Sequence, residues 1–319
     1  MPSNENALSR REFVAGGGAA LVLAACSKGG SSQGPTGPPS GSSLHDLSSG
    51  AEHLSLIQAQ SELPTGTSLF TFGLSTPQGG LLLGGSPQVF VARNKSSKPL
   101  GPFPSTFHQF APATYFNDKT IPRSPITGYF TAEVHIPSAG NWIFGAATTQ
   151  GGKRAVGIAA SVVKASIPNA VGARAISTPT PVATTRHKLE EICTRVPPDP
   201  MHYISLDRAL TNRKPTVVSF ATPLLCMSRL CGPVVDEQLL AFQNIGKSKA
   251  NFIHVEEFLP GPDLKPPAPS ISNQSPPFKA WHLSTEPWLF VIDRHGVIRA
   301  EFEGPVVAQQ IEAEVGPLL

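Results

Sequence analysis

Two cysteines separated by four residues, Cys226 and Cys231, form the pattern in this sequence that could most readily do chemistry. They follow a short β-branched run, Thr216–Phe220, and come just before a stretch with the composition of a helix, Pro233–Phe242. A cysteine at the start of a helix faces unpaired backbone N–H groups and the positive end of the helix dipole, which stabilise its thiolate. Because the thiolate is the species that attacks a disulfide, this placement favours redox chemistry. A purely stabilising disulfide is the alternative, and closing so short a loop would contribute about 2 kcal/mol.

The chain has two other cysteines, Cys26 and Cys193. Cys26 belongs to the N-terminal segment, which leaves an odd number of thiols, so at least one of them is free, transient or intermolecular. Cys193 is either an extra resolving thiol or a small buried residue, since free cysteine is often buried without reacting.

The first twenty-six residues have the features of an export signal. The pair Arg10-Arg11 precedes a mild apolar run, Val14–Ala25, which is shorter than the roughly 20 residues that span a bilayer. A twin arginine before such a run indicates the Tat route, which exports folded proteins. Leu23-Ala24-Ala25-Cys26 resembles the lipobox of bacterial lipoproteins, and this resemblance implies that Cys26 carries the lipid. An ordinary cleaved signal is the alternative.

The composition of the whole chain favours β-rich domains with long loops. Of 319 residues, 40% are hydrophobic and only 15% charged, while Gly and Pro number 29 and 33. The formal net charge is +3 and the basic residues are scattered, so no electrostatic surface for nucleic acid is indicated.

The region from residue 53 to 165 consists of short alternating runs separated by turn residues, which predicts a β-sandwich. Clear runs occur at 68–74, 88–93, 128–136 and 142–144. The segment from Gly128 to Phe144 resembles the late hairpin of immunoglobulin-like domains on bacterial surface proteins, which implies such a domain here. It would be either a platform for a partner or a spacer.

Residues 166–200 are rich in Pro, Ala and Thr and predict a linker, because dense proline prevents a continuous helix or central strand. The last region then alternates strands and helices. Strands are predicted at 216–220, 252–255, 288–293 and 297–302, and helices at 233–242 and after Pro305. In the final helix Val307, Ile311 and Val315 share one face. This order predicts an α/β fold with a mixed sheet.

This last region resembles the thioredoxin-like fold. Phe220–Cys226 takes the place of the loop before a thioredoxin nucleophile, Pro233–Glu237 that of the active-site helix, and Thr285–Trp288 that of the segment with the family's cis-proline. The resemblance implies that Cys226 attacks, that Cys231 resolves by forming a disulfide with it, and that Pro287 follows a cis bond and helps to bind the substrate backbone. Cys226 should then be the most exposed and most acidic thiol.

The spacing of the pair leaves three other functions open. The four-residue gap resembles atypical two-Cys peroxiredoxins, although Thr222 stands one place further from the cysteine than that family's threonine. The copper-chaperone branch of the fold uses two cysteines and a distant histidine, for which His254, His282 and His295 are available. The third possibility is a surface protein without catalysis, an adhesin or scaffold.

Taken together, the sequence predicts a lipid-anchored, extracytoplasmic thiol–disulfide oxidoreductase that needs no cofactor or metal. Its partners would be thiols or disulfides of exported proteins and a membrane electron donor. The predicted organisation is a signal, a flexible linker, an immunoglobulin-like β-sandwich, a Pro-rich linker and a thioredoxin-like domain, over residues 1–26, 27–52, 53–165, 166–200 and 201–319.

Overall fold

A computed structural model describes residues 42–114, 124–265 and 267–319 of the chain. The predicted export signal, its arginine pair and Cys26 lie outside these ranges. Within them, no helix combines the length and apolar character that crossing a membrane requires.

A short helix precedes the first strand. Helix α1 spans Leu44–Ser48, and the hydroxyl of Ser43 caps it by accepting the N–H of Asp46. Leu44 and Leu47 are buried in a small apolar cluster with Phe90 and Val156. The flexible linker predicted up to residue 52 is therefore too long, because residues 44–48 are helical and packed.

Seven strands follow, and their inward side chains form one core. The core contains the stacked rings of Phe70, Phe72, Phe130 and Phe144. The strands are β1 Glu52–Gln58, β2 Gly66–Ser75, β3 Gln88–Ala92, β4 Leu100–Gln109, β5 Gly128–Ile136, β6 Gly140–Gln150 and β7 Lys153–Val163.

These strands close into a barrel in the order β1-β2-β5-β4-β3-β6-β7. Closure depends on β1, which pairs antiparallel with β2 and parallel with β7. The prediction of an immunoglobulin-like sandwich with two separate sheets is therefore corrected to a closed barrel. The alternating pattern predicted several of these strands, but the pairing of the first strand with the last has no local signal in the sequence.

The predicted Pro-rich linker is packed over its last part. It contains helix α2, Arg186–Glu190, and is followed by α3, Leu206–Ala209. Arg195 is buried and forms an ion pair with Asp236, and Asp199 and Met201 are fully buried. The boundary predicted at residue 200 thus falls inside a segment that packs against the α/β region.

The α/β region has a four-stranded sheet in the order β11-β10-β8-β9. Strands β8 and β9 are parallel, whereas β10 is antiparallel to both β8 and β11. The elements are β8 Thr216–Phe220, α4 Cys231–Ile245, β9 Asn251–Val255, α5 Pro276–Ala280, β10 Trp288–Ile292, β11 Ile298–Glu303 and α6 Ala308–Val315.

Helices cover both faces of this sheet. Val217 and Leu289 point to the face that packs against α4 and α6, while Val218 and Phe290 point to the face covered by α3 and Phe278 of α5. A strand buried on both sides reads as a continuous apolar run, which is why β8 was predictable. The mixed sheet and its element order agree with the predicted thioredoxin-like fold.

The barrel and the sheet are in contact through β11. The carboxylate of Glu303 accepts hydrogen bonds from the hydroxyl of Ser61 and the N–H of Glu62, both at 2.6 Å. Next to it, a Cβ on Gly304 would lie 2.3 Å from the carbonyl oxygen of Ala59, so only glycine fits. Glu303 also accepts the hydroxyl of Thr285 at 2.7 Å, which connects the barrel to the segment before Pro287.

Candidate active site

Cys226 and Cys231 form a disulfide beyond the carboxyl end of β8, with their Cα atoms 5.9 Å apart. This confirms the predicted pairing. Cys226 lies in the loop between β8 and α4 and is partly exposed, whereas Cys231 is fully buried. The neighbouring Met227 is 94% exposed, so the side of the pair that solvent reaches is the Cys226 side.

Helix α4 begins at Cys231, two residues earlier than the predicted start at Pro233, and Cys226 lies in the loop before it. Two residues five positions apart would diverge on a regular helix, so the pair can meet only because Cys226 stays in the loop. The sulfur of Cys226 nevertheless lies at the helix N-terminus, since it accepts the N–H of Cys231 at 3.2 Å. The hydroxyl of Ser228 is also 3.2 Å from this sulfur. Both contacts favour a thiolate at Cys226 once the disulfide is reduced.

Thr222 positions the cysteine loop. Its carbonyl accepts the N–H groups of Leu225 and Cys226, and its buried hydroxyl accepts those of Glu257 at 2.8 Å and Phe258 at 3.3 Å. Thr222, which the resemblance to peroxiredoxins had pointed to, therefore attaches the cysteine loop to the residues after β9.

Pro287 lies where the resemblance placed it, and the Glu286–Pro287 bond is cis. Strand β10 begins at Trp288, which is paired with Phe220 at the end of β8. Pro287 therefore adjoins the start of the cysteine loop. Its carbonyl accepts the N–H of Gly304 at 2.9 Å, which fixes the proline against the end of β11.

A side chain that the sequence did not single out, Glu286, completes the surroundings of the pair. A carboxylate oxygen of Glu286 and the sulfurs of Cys226 and Cys231 all lie within 4.8 Å of one another. Its Oε2 is buried and has no hydrogen-bond partner among the described residues. Burial, with the charges of Glu257 and Glu256, raises the pKa of Glu286 well above its usual range, against the opposing effect of bonds from Thr222. Glu286 therefore holds its proton into a higher pH range than an ordinary glutamate.

Glu256 and Glu257 follow β9 directly behind the loop. Burial raises the pKa of Glu256 to about 7, while the charge of His254 and hydrogen bonds from Thr194 lower it. Burial also raises the pKa of Glu257, whose carboxylate accepts a hydrogen bond from Gln274 at 2.7 Å. Of these three carboxyl groups with raised pKa values, that of Glu286 is the one that adjoins the disulfide sulfurs.

The remaining predicted site residues do not join this group. Cys193 is buried and free, and its sulfur donates to Asp199 at 3.3 Å. Burial raises the pKa of Cys193 well above its usual range, and the charges of Asp199 and Glu256 add to that rise. His254 is buried beside Cys193, whereas His282 and His295 are exposed. The structure therefore places none of the three histidines in the cluster formed by the cysteine pair and Glu286.

Solved structures match this chain at low sequence identity. No protein-family model and no curated protein matches the chain. A thiol-disulfide isomerase from Corynebacterium glutamicum is 21% identical, with 37% of this chain and 89% of that chain covered and a TM-score of 0.30. A thiol:disulfide interchange protein of the thioredoxin family from Chlorobium tepidum is 20% identical, with 46% and 99% covered and a TM-score of 0.28. These descriptions apply to those two proteins, and the fold of the present chain follows from its own sheet order.

Proposed function

We propose that this chain is a thiol–disulfide oxidoreductase whose redox pair is Cys226 and Cys231. The observation that carries the proposal is the asymmetry of the disulfide: one sulfur is partly exposed and accepts a helix N-terminal N–H, and the other is fully buried. An exchange protein needs this arrangement, because one sulfur has to meet the substrate while the other stays protected until the mixed disulfide forms.

In the reduced protein, the thiolate of Cys226 attacks one sulfur of a substrate disulfide and expels the other as a thiolate. The thiol of Cys231 then loses its proton and attacks Cys226 in the mixed disulfide, which releases the second substrate thiolate. Two electrons pass to the substrate and the Cys226–Cys231 disulfide is restored. The reverse sequence oxidises a dithiol substrate, and the reduction potential of the pair decides which direction operates.

Two residues support this exchange without changing covalently. The carboxyl group of Glu286 adjoins both sulfurs, where it can accept or return the proton of Cys231. Pro287 and the start of β10 provide the backbone against which a substrate segment would lie.

The cellular setting is also part of the proposal. The twin arginine, the mild apolar run and the lipobox-like Cys26 support Tat export and a lipid anchor on the outer face of the cytoplasmic membrane. Substrates would then be thiols or disulfides of exported proteins, with electrons supplied or taken by a membrane partner. Replacing Cys26 with Ala should move the protein from the detergent phase to the aqueous phase in a phase-separation assay, and retention in the detergent phase would contradict the anchor.

The exchange itself is tested by trapping the mixed disulfide. A Cys231→Ser variant should accumulate a complex with a disulfide peptide that dithiothreitol releases, because nothing is left to resolve it. A Cys226→Ser variant should form no such complex. If only Cys226→Ser formed the complex, the two roles would be reversed, and the absence of a complex with both variants would contradict the function. Rapid consumption of hydrogen peroxide by the reduced pair would favour a peroxidase.

A further inference from the structure

A second group of chemically reactive side chains lies away from the redox pair. It consists of Cys193, Asp199, His202 and His254, which we name the buried cluster. None of the four is more than 4% exposed. One ligand atom from each, the sulfur, a carboxylate oxygen and two ring nitrogens, lies within 4.8 Å of every other. Three of these residues come from the segment before α3 and the fourth from β9.

The distances in the buried cluster approach those of a tetrahedral metal site. The Cys193 sulfur is 3.3 Å from Asp199 Oδ2 and 3.9 Å from His254 Nδ1, and these last two atoms are 2.8 Å apart. With bonds of about 2.0–2.3 Å to zinc, tetrahedral ligand atoms lie about 3.3–3.6 Å from one another. The atoms of Cys193, Asp199 and His254 would need shifts of only a few tenths of an ångström to surround one ion. The ligand nitrogen of His202 lies within 4.8 Å of each of them.

The second ring nitrogen of His254 has the partner that a metal-binding histidine needs. His254 Nε2 lies 2.9 Å from the carbonyl oxygen of Ala221, to which it can only donate. When Nε2 carries the proton of a neutral ring, Nδ1 has its lone pair directed into the cluster. Metal-ligating histidines characteristically donate their other N–H to a carbonyl or carboxylate in this way.

His202 provides an independent observation. Its side chain is 2% exposed, and Nε2 has no hydrogen-bond partner among the described residues. The closest approach to a carboxylate is 3.7 Å, to Asp199 Oδ1. A buried polar atom without a partner is costly, and such exceptions in proteins commonly mark an ion or water site. An ion pair between His254 and Asp199 alone would leave this nitrogen unexplained.

We propose that the buried cluster is a structural site for a divalent transition-metal ion of the zinc class. Sulfur, imidazole and carboxylate together suit zinc, and four protein ligands that exclude solvent are typical of a structural site and not of a catalytic one. Binding forms four metal–ligand bonds and releases two protons, the thiol proton of Cys193 and the Nδ1 proton that His254 carries in its ion pair with Asp199. The thiolate and the carboxylate then balance the two charges of the ion, so the filled site is neutral in a buried environment.

The site would fasten the segment before α3 to the sheet directly behind the redox loop. The carbonyl oxygen of Ala221 accepts a hydrogen bond from His254 Nε2. The next residue, Thr222, holds the cysteine loop in place. Next to Cys193, the hydroxyl of Thr194 accepts the N–H of Leu224 in that loop. A metal ion here would therefore stabilise the base of the redox loop without touching Cys226 or Cys231.

Metal content and cobalt spectroscopy test the proposal on the full chain with its redox pair oxidised, so that Cys226 and Cys231 cannot bind metal. We expect one zinc ion per chain in protein purified without chelator. After chelation, Co²⁺ alone should give a thiolate-to-cobalt charge-transfer band and the visible bands of tetrahedral cobalt. Added Zn²⁺ at 100 times its Kd should abolish those bands and raise the melting temperature of the metal-free protein by about 5–10 °C.

Variants identify the ligands. His202→Ala should weaken Co²⁺ binding by more than the roughly 10–100-fold that loss of a supporting second-shell contact costs. Cys193→Ser should remove the charge-transfer band. The matched controls are His282→Ala, an exposed histidine, and the double variant Cys226→Ser/Cys231→Ser, and both should bind as the unchanged chain does.

The wild-type chain alone can overturn the proposal, whatever the folding of the variants. If it binds neither zinc nor cobalt after both are supplied, the buried cluster is an ion pair with a packed thiol. If cobalt binds but the charge-transfer band survives in Cys193→Ser, the sulfur ligand is not Cys193 and the proposed site is wrong.

Discussion

Cys226 and Cys193 occupy two environments that differ in solvent access and in the charge of the neighbouring groups. Cys226 is partly exposed and accepts a backbone N–H, whereas Cys193 is buried and adjoins the carboxylate of Asp199. A donor beside a sulfur favours its thiolate, while burial beside a carboxylate keeps it protonated unless a cation is present. The sulfur of Cys226 is therefore suited to disulfide exchange, whereas the sulfur of Cys193 is not.

The largest expected effect distinguishes the two environments by activity. Cys226→Ser should reduce disulfide exchange to the uncatalysed background, because the attacking sulfur is lost. Insulin reduction with dithiothreitol measures this. The matched control is Val162→Ser, an exposed residue on the barrel strand β7, which should exchange at the unchanged rate. Full activity in Cys226→Ser would move the chemistry away from this loop.

The second effect is a ranking of thiol reactivity in the reduced protein. Iodoacetamide at neutral pH should label Cys226 first, Cys231 more slowly because it is fully buried, and Cys193 only after unfolding. Peptide mass spectrometry of samples quenched over time measures the ranking. Early labelling of Cys193 would remove the distinction between the two environments.

The third effect concerns Thr222, which connects the loop of Cys226 to the residues that follow β9. Thr222→Val should lower the free energy of unfolding by about 1–3 kcal/mol, because the buried N–H groups of Glu257 and Phe258 lose their acceptor. Urea denaturation measures the loss. Thr222→Ser retains the oxygen and should recover most of it, and equal losses in the two variants would assign the effect to packing.

The smallest effect is the pH dependence caused by Glu286. Its folded-state pKa is raised, so its contribution to stability is lost as the pH rises from about 4, the unfolded range, through the folded value. Glu286→Gln should therefore melt about 2–4 °C higher than the unchanged chain at pH 7, with no difference at pH 3.5. A difference that is constant with pH would show that titration of this carboxyl group is not its cause.

Glu286→Gln also tests the coupling of the carboxyl group to the redox sulfurs. An ionised carboxylate close to a sulfur disfavours its thiolate, so the rate of Cys226 alkylation in the variant, divided by that in the unchanged chain, should rise as the pH passes through the raised pKa of Glu286. At pH 5 the two rates should agree, because Glu286 then holds its proton. A ratio that is above one and constant with pH would indicate altered access.

The sequence predicted the parts of the site that depend on local pattern. The apolar run of β8, the helix after Cys231 and the position of Pro287 each have a signal within a few residues. Glu286 had no such local signal, because a glutamate before a proline is common and its role depends on the sheet that brings it next to the disulfide. The sequence did not predict the buried cluster for the same reason. Asp199 and His254 are 55 residues apart in sequence and come together only in the folded structure.

The barrel shows the same limit at a larger scale. Alternation in β2, β3 and β5 predicted strands, yet it contains no information on which strand pairs with which. The pattern therefore favoured a sandwich, while the partner of β1 on its second side is the last strand of the region. Proline in β4, at Pro102 and Pro104, also concealed a strand from a reading based on composition.

The parallel pairing of β1 with β7 also has a consequence for the order of events during synthesis. One edge of β1 lacks its partner until the ribosome has made Lys153–Val163, so closure has to wait for nearly the whole barrel sequence. Contacts between residues so far apart in sequence form slowly, because the intervening chain loses its freedom before they can contribute. A chain exported in folded form, as proposed here, would have to complete this late closure in the cytoplasm, where an unpaired strand edge is also open to aggregation.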